Sequence, residues 1–464
     1  MFSFAKLTSN LLFSKLYRRQ LIAMIPAYLT MISGGMFLSY GIFQIFFGYQ
    51  SFTADMSTIQ MFFLPASFHI SLMLGALATS FSYYCVEIKQ IHLINSLLML
   101  TGSIVLTILP DLYTSVVISR TIFGLGFGSS YITFIIYASE ISSGKVRAQI
   151  IFLLHLSLTM GMLMLSIFCL GTNFIVIMRV KGSFCIVLTL VSIGLGYFKL
   201  KSSHIHMMQN NSKDAFERFL YFQQDNIENP HFESEAMLSY IIEEKKRRYE
   251  FFSQHNINTL AIVLLFKIGY LSIFNALHNV QRIVLMSAFL TISDTNFSQL
   301  IMMASRMLGC VVGFLFLDNL TKRLQFFISA IIIFLLLLIF SILLSIYQSM
   351  SIWTPLIFFI PLEFFVGFGL SPIGDILKGE LFPLKEKPVS IATTIIFEEV
   401  VHILCIILLL SWISYLGSVP TFMSFIFAFI TLVSGFGVVV LLRDSRKQSL
   451  RLVANLYSDK RTLN

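Results

Sequence analysis

Apolar residues run along this chain in long, nearly unbroken stretches separated by short polar interruptions. Crossing a hydrocarbon core takes about 20 mostly apolar residues in a helix. Twelve stretches reach that length, at about 20–47, 59–83, 91–110, 113–138, 149–171, 180–198, 256–290, 297–317, 324–348, 353–378, 389–416 and 419–442. Helices satisfy their own backbone polar groups, which is what a bilayer interior demands. One long polar break follows the sixth stretch. Within it "SKDAFERFLYF" and "EAMLSYIIEEKKRRYEFF" show helical apolar spacing with mixed charge. The pattern predicts an all-α membrane protein with a tail at 1–19, a six-helix bundle at 20–198, a helical linker at 199–253, a second six-helix bundle at 254–443 and a tail at 444–464.

Composition agrees: 56% of the 464 residues are hydrophobic and 12% are charged. With an even number of spans both termini lie on one side, and basic residues prefer cytoplasmic loops. Only Arg120, Arg179, Lys181, Lys267, Arg282 and Arg306 fall outside the tails and even-to-odd loops, leaving 26 of the 32 Lys and Arg on the predicted cytoplasmic side. Lys6, Lys15, Arg18 and Arg19 precede the first stretch and no small-residue cleavage site follows it, so that span is expected to be retained. The same bias accounts for the net charge of +9 and removes the need for a nucleic-acid partner. Cys85, Cys169, Cys185, Cys310 and Cys405 stand singly, without metal spacing, and read as packing residues. No phosphate-cradling loop, HExxH or nucleophile elbow is present. "GLGFG" lies inside the fourth stretch with no strand before it, so a dinucleotide site is excluded. Neither an enzyme nor a bound cofactor or metal is expected.

The charges show an internal repeat. After the fourth stretch "YASEISSGKVRA" places Glu140 seven residues before Arg147, and after the tenth "KGELFPLKEKPV" places Glu380 seven before Lys387. "GFLFLDNLTKRLQFF" adds Asp318, Lys322 and Arg323 between the eighth and ninth. Acids and bases at equivalent span ends are expected to form ion pairs that hold one conformation and break in another.

"SRTIFGLGFGSSYITFIIYASEISSGKVRA", with Arg120, Gly124, Gly126, Gly128, Tyr137, Glu140 and Arg147, resembles the signature of the sugar porter branch of the major facilitator superfamily. This branch includes hexose facilitators and insect trehalose transporters. "GELFPLKEKPVSIA" is similar to its second-half signature, with Lys387 where Arg is usual, and "LLRDSRKQSLRLVANL" to its terminal LPETKGKSLEEI. The resemblance runs over about residues 20 to 453. It implies the major facilitator fold, two pseudo-symmetric six-helix halves around a midplane site, and alternating-access transport of a sugar. Arg120, Glu140, Arg147, Asp318, Lys322, Arg323, Glu380 and Lys387 are then the conformational charges.

The family's cavity positions are altered. Its span-five Gln falls on His155, eight after Arg147; "GYLSIFN" keeps Asn275 but has Gly269 and Tyr270 for two Gln. The span-eight Asn falls on Arg306, twelve before Asp318. "LSPIGD" keeps Pro372 and has Asp375 in place of Trp. The span-eleven Asn-Trp pair falls on Glu398 and Glu399, eleven and twelve after Lys387. Amides and an aromatic plane suit sugar hydroxyls and ring faces; here charge replaces much of both.

Ionisable groups in a bilayer interior face cavities and pair with one another, so Arg306 is expected to pair with Asp375 or Glu398. Glu398 and Glu399 stand four and three residues before His402, on one helical face. Such a group can take up a proton for coupling or can be a purely structural pair; both readings stand. Tyr40, Gln44 and Gln281 are weaker cavity candidates, and Lys267 and Arg282 are expected to snorkel to interfaces. Asn296, in "NFS" on a predicted outer loop, is a glycan acceptor candidate. Together these features predict a monomeric sugar transporter of the plasma membrane with both termini cytoplasmic. A non-transporting sugar receptor and a carrier of a charged organic solute are the alternatives.

Overall fold

The computed structural model of the chain describes residues 18–47, 57–144, 146–171, 173–200, 251–254, 256–271, 292–346, 353–412 and 419–443, with the isolated positions 216, 217, 221, 222, 239, 242, 243 and 453. The first half contains α1 (Arg18–Phe47), α2 (Thr58–Ser82), α3 (Ile88–Ile108), α4 (Tyr113–Ile141), α5 (Arg147–Phe168) and α6 (Phe174–Lys199). The second contains α7 (Asn256–Leu271), α8 (Ile292–Phe316), α9 (Lys322–Ile346), α10 (Trp353–Phe365), α11 (Pro372–Leu381), α12 (Lys387–Trp412) and α13 (Val419–Leu441). A π-helical turn, Val366–Leu370, joins α10 and α11 into one span. Among the described residues ten helical spans are long and apolar enough to cross a membrane, and two shorter apolar helices, Asn256–Leu271 and Phe425–Leu441, complete the expected twelve.

Local sequence sets several helix ends. Ser57 caps α2 in a reciprocal box with Gln60, its backbone N–H donating to Gln60 Oε1 at 2.9 Å while its hydroxyl accepts from the Gln60 N–H. Asn173 caps α6 by accepting from the Ile175 and Val176 N–H groups. The tenth span breaks at the π turn: the Ser371 N–H reaches back to the Val366 carbonyl at 2.9 Å, and Pro372, which lacks an N–H, starts α11. Gln325 of α9, fully buried, donates to the carbonyls of Phe368 (2.6 Å) and Gly313 (3.0 Å), which ties the turn to α8 and α9.

The repeat is also written in the packing. In the first half α2 crosses α4 so closely that a Cβ on Gly75 would strike the Leu125 carbonyl, and one on Gly128 the Leu72 carbonyl. In the second half a Cβ on Gly309 of α8 would strike the Phe364 carbonyl, and one on Gly367 the Arg306 carbonyl. In all four cases the carbonyl belongs to the residue three before the partner glycine, so the second and fourth spans of both halves share one reciprocal clasp. Between the halves, α2 packs along α12, and α5 along α8 and α11.

Most of the predicted linker, 199–253, lies outside the described residues. Tyr221 and Phe222 of it lie against the start of α1: Arg19 donates to the Tyr221 carbonyl at 3.0 Å and Gln20 to that of Phe222 at 3.1 Å. Asn296 falls inside α8 rather than in the loop before it. The side chains of Tyr40 and Gln44, and all of Asn275, Gln281 and Arg282, also lie outside the described residues.

Ala at Gly128 or Gly367 should cost about 1–3 kcal/mol through overpacking and lower the Tm of the purified protein in detergent. Ala at Gly194, where nothing lies within 4 Å, should leave the Tm unchanged or raise it.

Candidate functional site

Four charged side chains meet where α7, α11 and α12 converge. Lys267 of α7 donates to Glu398 Oε1 at 3.0 Å, and Lys378 of α11 donates to Oε2 of the same carboxylate at 3.1 Å. Both ammonium groups also stand near Asp375 Oδ1, Lys267 at 3.8 Å and Lys378, one turn along the same helix, at 3.5 Å. Acids and bases thus alternate in a compact ring. All four residues are buried, and a charge taken from water is tolerated only with partners of this kind. Aromatic faces complete the surroundings: the Lys267 ammonium lies 4.8 Å from the Tyr270 ring centre and that of Lys378 5.0 Å from Tyr131.

The first half reaches into this ring through neutral donors. Tyr131 of α4 donates its hydroxyl to Asp375 Oδ1 at 2.6 Å. His155 of α5 places Nδ1 3.0 Å from Asp375 Oδ2 and Nε2 2.7 Å from the Ser371 hydroxyl at the π turn. With Nδ1 protonated, the imidazole donates to the carboxylate and accepts from the serine. One residue beyond Glu398 on α12, Glu399 faces α2 instead, where its Oε2 lies 2.5 Å from His69 Nδ1. The His69 ring stacks on His402 with centroids 5.0 Å apart. The polar links between the halves at this level therefore include Asp375, Ser371 and Glu399 of the second half.

Several expected partners are corrected. Arg306 was expected to pair with Asp375 or Glu398; its Nε and Nη2 both bind Glu363 Oε2 of α10 at 2.6 Å, while Lys267 and Lys378 hold those two acids. Arg306 lies three residues before Gly309 in the α8–α10 clasp, and that crossing puts it beside α10. Lys267 was expected to snorkel; it is 2% exposed and belongs to the ring. Glu399 is hydrogen-bonded to His69 across the interface, and His402, expected to face the acids of its own helix, stacks on the His69 ring. Pro372 starts α11 and shapes the site without a polar contact.

The expected conformational charges gather at the end of the bundle that carries the start of α1, where the α2–α3, α4–α5, α8–α9 and α11–α12 connections lie. Glu380 binds Lys322 in an ion pair rather than Lys387. Lys387 instead crosses to the first half, donating to Ser139 Oγ at 3.1 Å as well as to the Gly379 carbonyl at 2.8 Å. Asp318 accepts from Gln149 of α5 at 2.7 Å, and the Tyr84 hydroxyl donates to the Leu384 carbonyl. Glu140 accepts from Tyr83 at 3.2 Å, and Arg147 donates to the carbonyls of Ser139 (3.1 Å) and Ser142 (3.3 Å). Arg323 reaches the Val439 carbonyl at 3.4 Å. Arg120 lies elsewhere, buried in the first half, where it donates to the Phe37 carbonyl of α1 and the Pro65 carbonyl of α2. Contacts between the halves thus seal this end mostly through neutral donors and backbone carbonyls.

The family model for sugar (and other) transporters matches residues 21–457. The chain belongs to this family. Its fold is that of the major facilitator superfamily, as the sugar porter resemblance implied, and it is a multi-pass membrane protein rather than an enzyme. The structure is similar to that of the proton:xylose symporter XylE bound to 6-bromo-6-deoxy-D-glucose, with a TM-score of 0.80 at 12% identity, covering 96% of this chain and 100% of that one. It is also similar to the partially occluded inward-open form of XylE from E. coli, with TM-score 0.67, 12% identity and coverage of 93% and 98%. For the inward-open form the values are 0.64, 12%, 95% and 99%. No curated protein sequence matches the chain significantly. Among the described residues of this family member, no cluster of His, Cys, Asp and Glu has the geometry to hold a metal ion.

His69, Tyr131, Lys267, Glu363 and Lys378 were not singled out as site residues from sequence. Four of them are ionisable groups inside apolar runs, a visible signal, but only the folded arrangement shows which acid each one meets. Lys378→Met should leave Asp375 and Glu398 undercompensated and cost about 3–5 kcal/mol, as breaking a buried pair does. The double variant K378M/E398Q, which removes one charge of each sign, should recover part of the lost Tm; equal or lower stability of the double variant would contradict the ring.

Proposed function

We propose that this protein carries a neutral, hydroxyl-rich solute, a hexose or a trehalose-like sugar, by rocking its two halves about the Asp375–Glu398 ring. The observation that carries this reading is the internal neutralisation of the ring. Lys267 and Lys378 each contact both Asp375 and Glu398, so no unbalanced charge is offered to a charged organic solute. Sugar hydroxyls both donate and accept, so they can replace the Tyr131, His155 and Ser371 bonds one for one as the halves move. His155, Tyr270, Asp375, Glu398 and Glu399 are the proposed solute-facing groups, with Asn275 a further candidate. Arg306, joined to Glu363, acts as a structural pair beside them.

The sealed end favours a transporter over a receptor. Its cross-half contacts at Tyr84, Gln149 and Lys387 are hydrogen bonds worth about 0.5–1.5 kcal/mol net for the neutral one and about 1.5–3 for the two that involve a charged group, a scale compatible with repeated opening. From the distribution of Lys and Arg, this end and both termini are assigned to the cytoplasm, with the plasma membrane as the site of residence and a monomer as the working unit.

Purified protein in liposomes should take up labelled D-glucose, D-xylose or trehalose saturably. Binding without uptake would support a receptor, and uptake of an organic ion instead would support the charged-solute carrier. Tyr131→Phe and His155→Ala should each lower kcat/KM for the transported sugar by about tenfold or more, because a hydrogen bond to a charged group is worth about 1.5–3 kcal/mol.

A further inference from the structure

The acids on the second half outnumber the cations that hold them. Asp375, Glu398 and Glu399 stand against Lys267 and Lys378, and both lysines contact Asp375 and Glu398. Glu399 is the acid left over. Its partner is a histidine from the other half, with one carboxylate oxygen 2.5 Å from His69 Nδ1, a separation with room for one proton between the two atoms. The pair is enclosed: Glu399 is 6% exposed and His69 1%.

We propose that Glu399 is a proton-binding site, a carboxylic acid that donates to His69 while α2 covers it and gives up its proton when α2 and α12 part. The charged and titratable groups facing the pair favour that location of the proton. On α12 itself the Glu398 carboxylate is adjacent, and the His402 ring stacks on His69. From α7 and α11 come Lys267, Tyr270, Asp375 and Lys378, whose charges balance with Glu398. From α4 come Tyr131, bound to Asp375, and Arg120, which lies over the Phe68 ring next to His69. A second cation on His69 would face Arg120, whereas a proton on Glu399 leaves the pair without net charge in a membrane interior where unbalanced charge is costly. The step is a simple transfer: the Glu399 O–H bond breaks, the proton passes to water entering between α2 and α12, and the carboxylate remains. It differs from a pair within α12 because its cover belongs to the opposite half, so proton release and the rocking motion are the same event.

Coupling to sugar rests on the transport reading above, but proton binding does not, and the tests separate them. The full chain in lipid nanodiscs, treated with dicyclohexylcarbodiimide, which adds to protonated buried carboxyl groups, should carry the label on Glu399 in preference to Asp375 and Glu398, and less of it as pH rises. Infrared difference spectra between acidic and alkaline pH should show a protonated-carboxyl carbonyl band that Glu399→Gln abolishes and His402→Gln retains. Persistence of that band in E399Q, or label confined to Asp375 or Glu398, would overturn the proposal. In liposomes the ratio of pH-gradient-driven D-glucose accumulation to D-glucose counterflow should fall several-fold in E399Q. Gradient-driven accumulation equal to wild type would sink the coupling, and absence of counterflow in the wild type would instead overturn the transport reading while leaving the labelling result intact.

Discussion

The structure depends on the cost of keeping ionised groups inside a membrane. A lone carboxylate or ammonium there is prohibitive, and balanced, hydrogen-bonded groups are tolerated. The second half satisfies that constraint with its own residues: two lysines and two acids close into a ring, and Arg306 and Glu363 form a separate pair. At this level the first half supplies hydrogen-bond partners, Tyr131, His155 and His69. This division of labour has a mechanical meaning. The halves can separate without stripping either lysine of the ring of its carboxylates, so opening at this level breaks the bonds to Tyr131, His155 and His69 and leaves the ring whole.

The end that carries the start of α1 follows the same principle with different chemistry. Lys322 and Glu380 pair within the second half, while the links across the interface run from Gln149, Tyr84 and Lys387 to a carboxylate, a carbonyl and a hydroxyl. A network of charged pairs across the gate would be stronger and more sensitive to salt. The loop between α2 and α3 contributes Tyr83 to Glu140 and Tyr84 to Leu384, so aromatic hydroxyls serve at this end.

The architecture was largely legible in the sequence because a bilayer imposes a length and an apolarity on each span, and both can be read residue by residue. The repeat was legible too, through the seven-residue spacing of Glu140 with Arg147 and of Glu380 with Lys387. The level of the site was legible from the family positions: His155, Asp375, Glu398 and Glu399 do converge. Partner choice was not. Arg306 turned to Glu363 because the α8–α10 crossing sets it beside α10, and Lys267 turned inward because the carboxylates lie there. Neither fact has a signature within a few residues along the chain. An i to i+3 spacing sets His402 within reach of Glu399, and a histidine 330 positions away meets that acid as well. Spacing along one helix says which groups share a face, and only the neighbouring helices decide what that face meets.

The glycine clasps carry a consequence of a different kind. The same four-point contact, glycine to the carbonyl three residues before its partner, joins α2 to α4 and α8 to α10, although the side chains around the two crossings have little in common. The same fastening also joins α1 to α5, where a Cβ on Gly35 would strike the Leu158 carbonyl and one on Gly161 the Ile32 carbonyl. A side chain added at any of these glycines would push two backbones apart, and with them every group that either helix carries toward the interface.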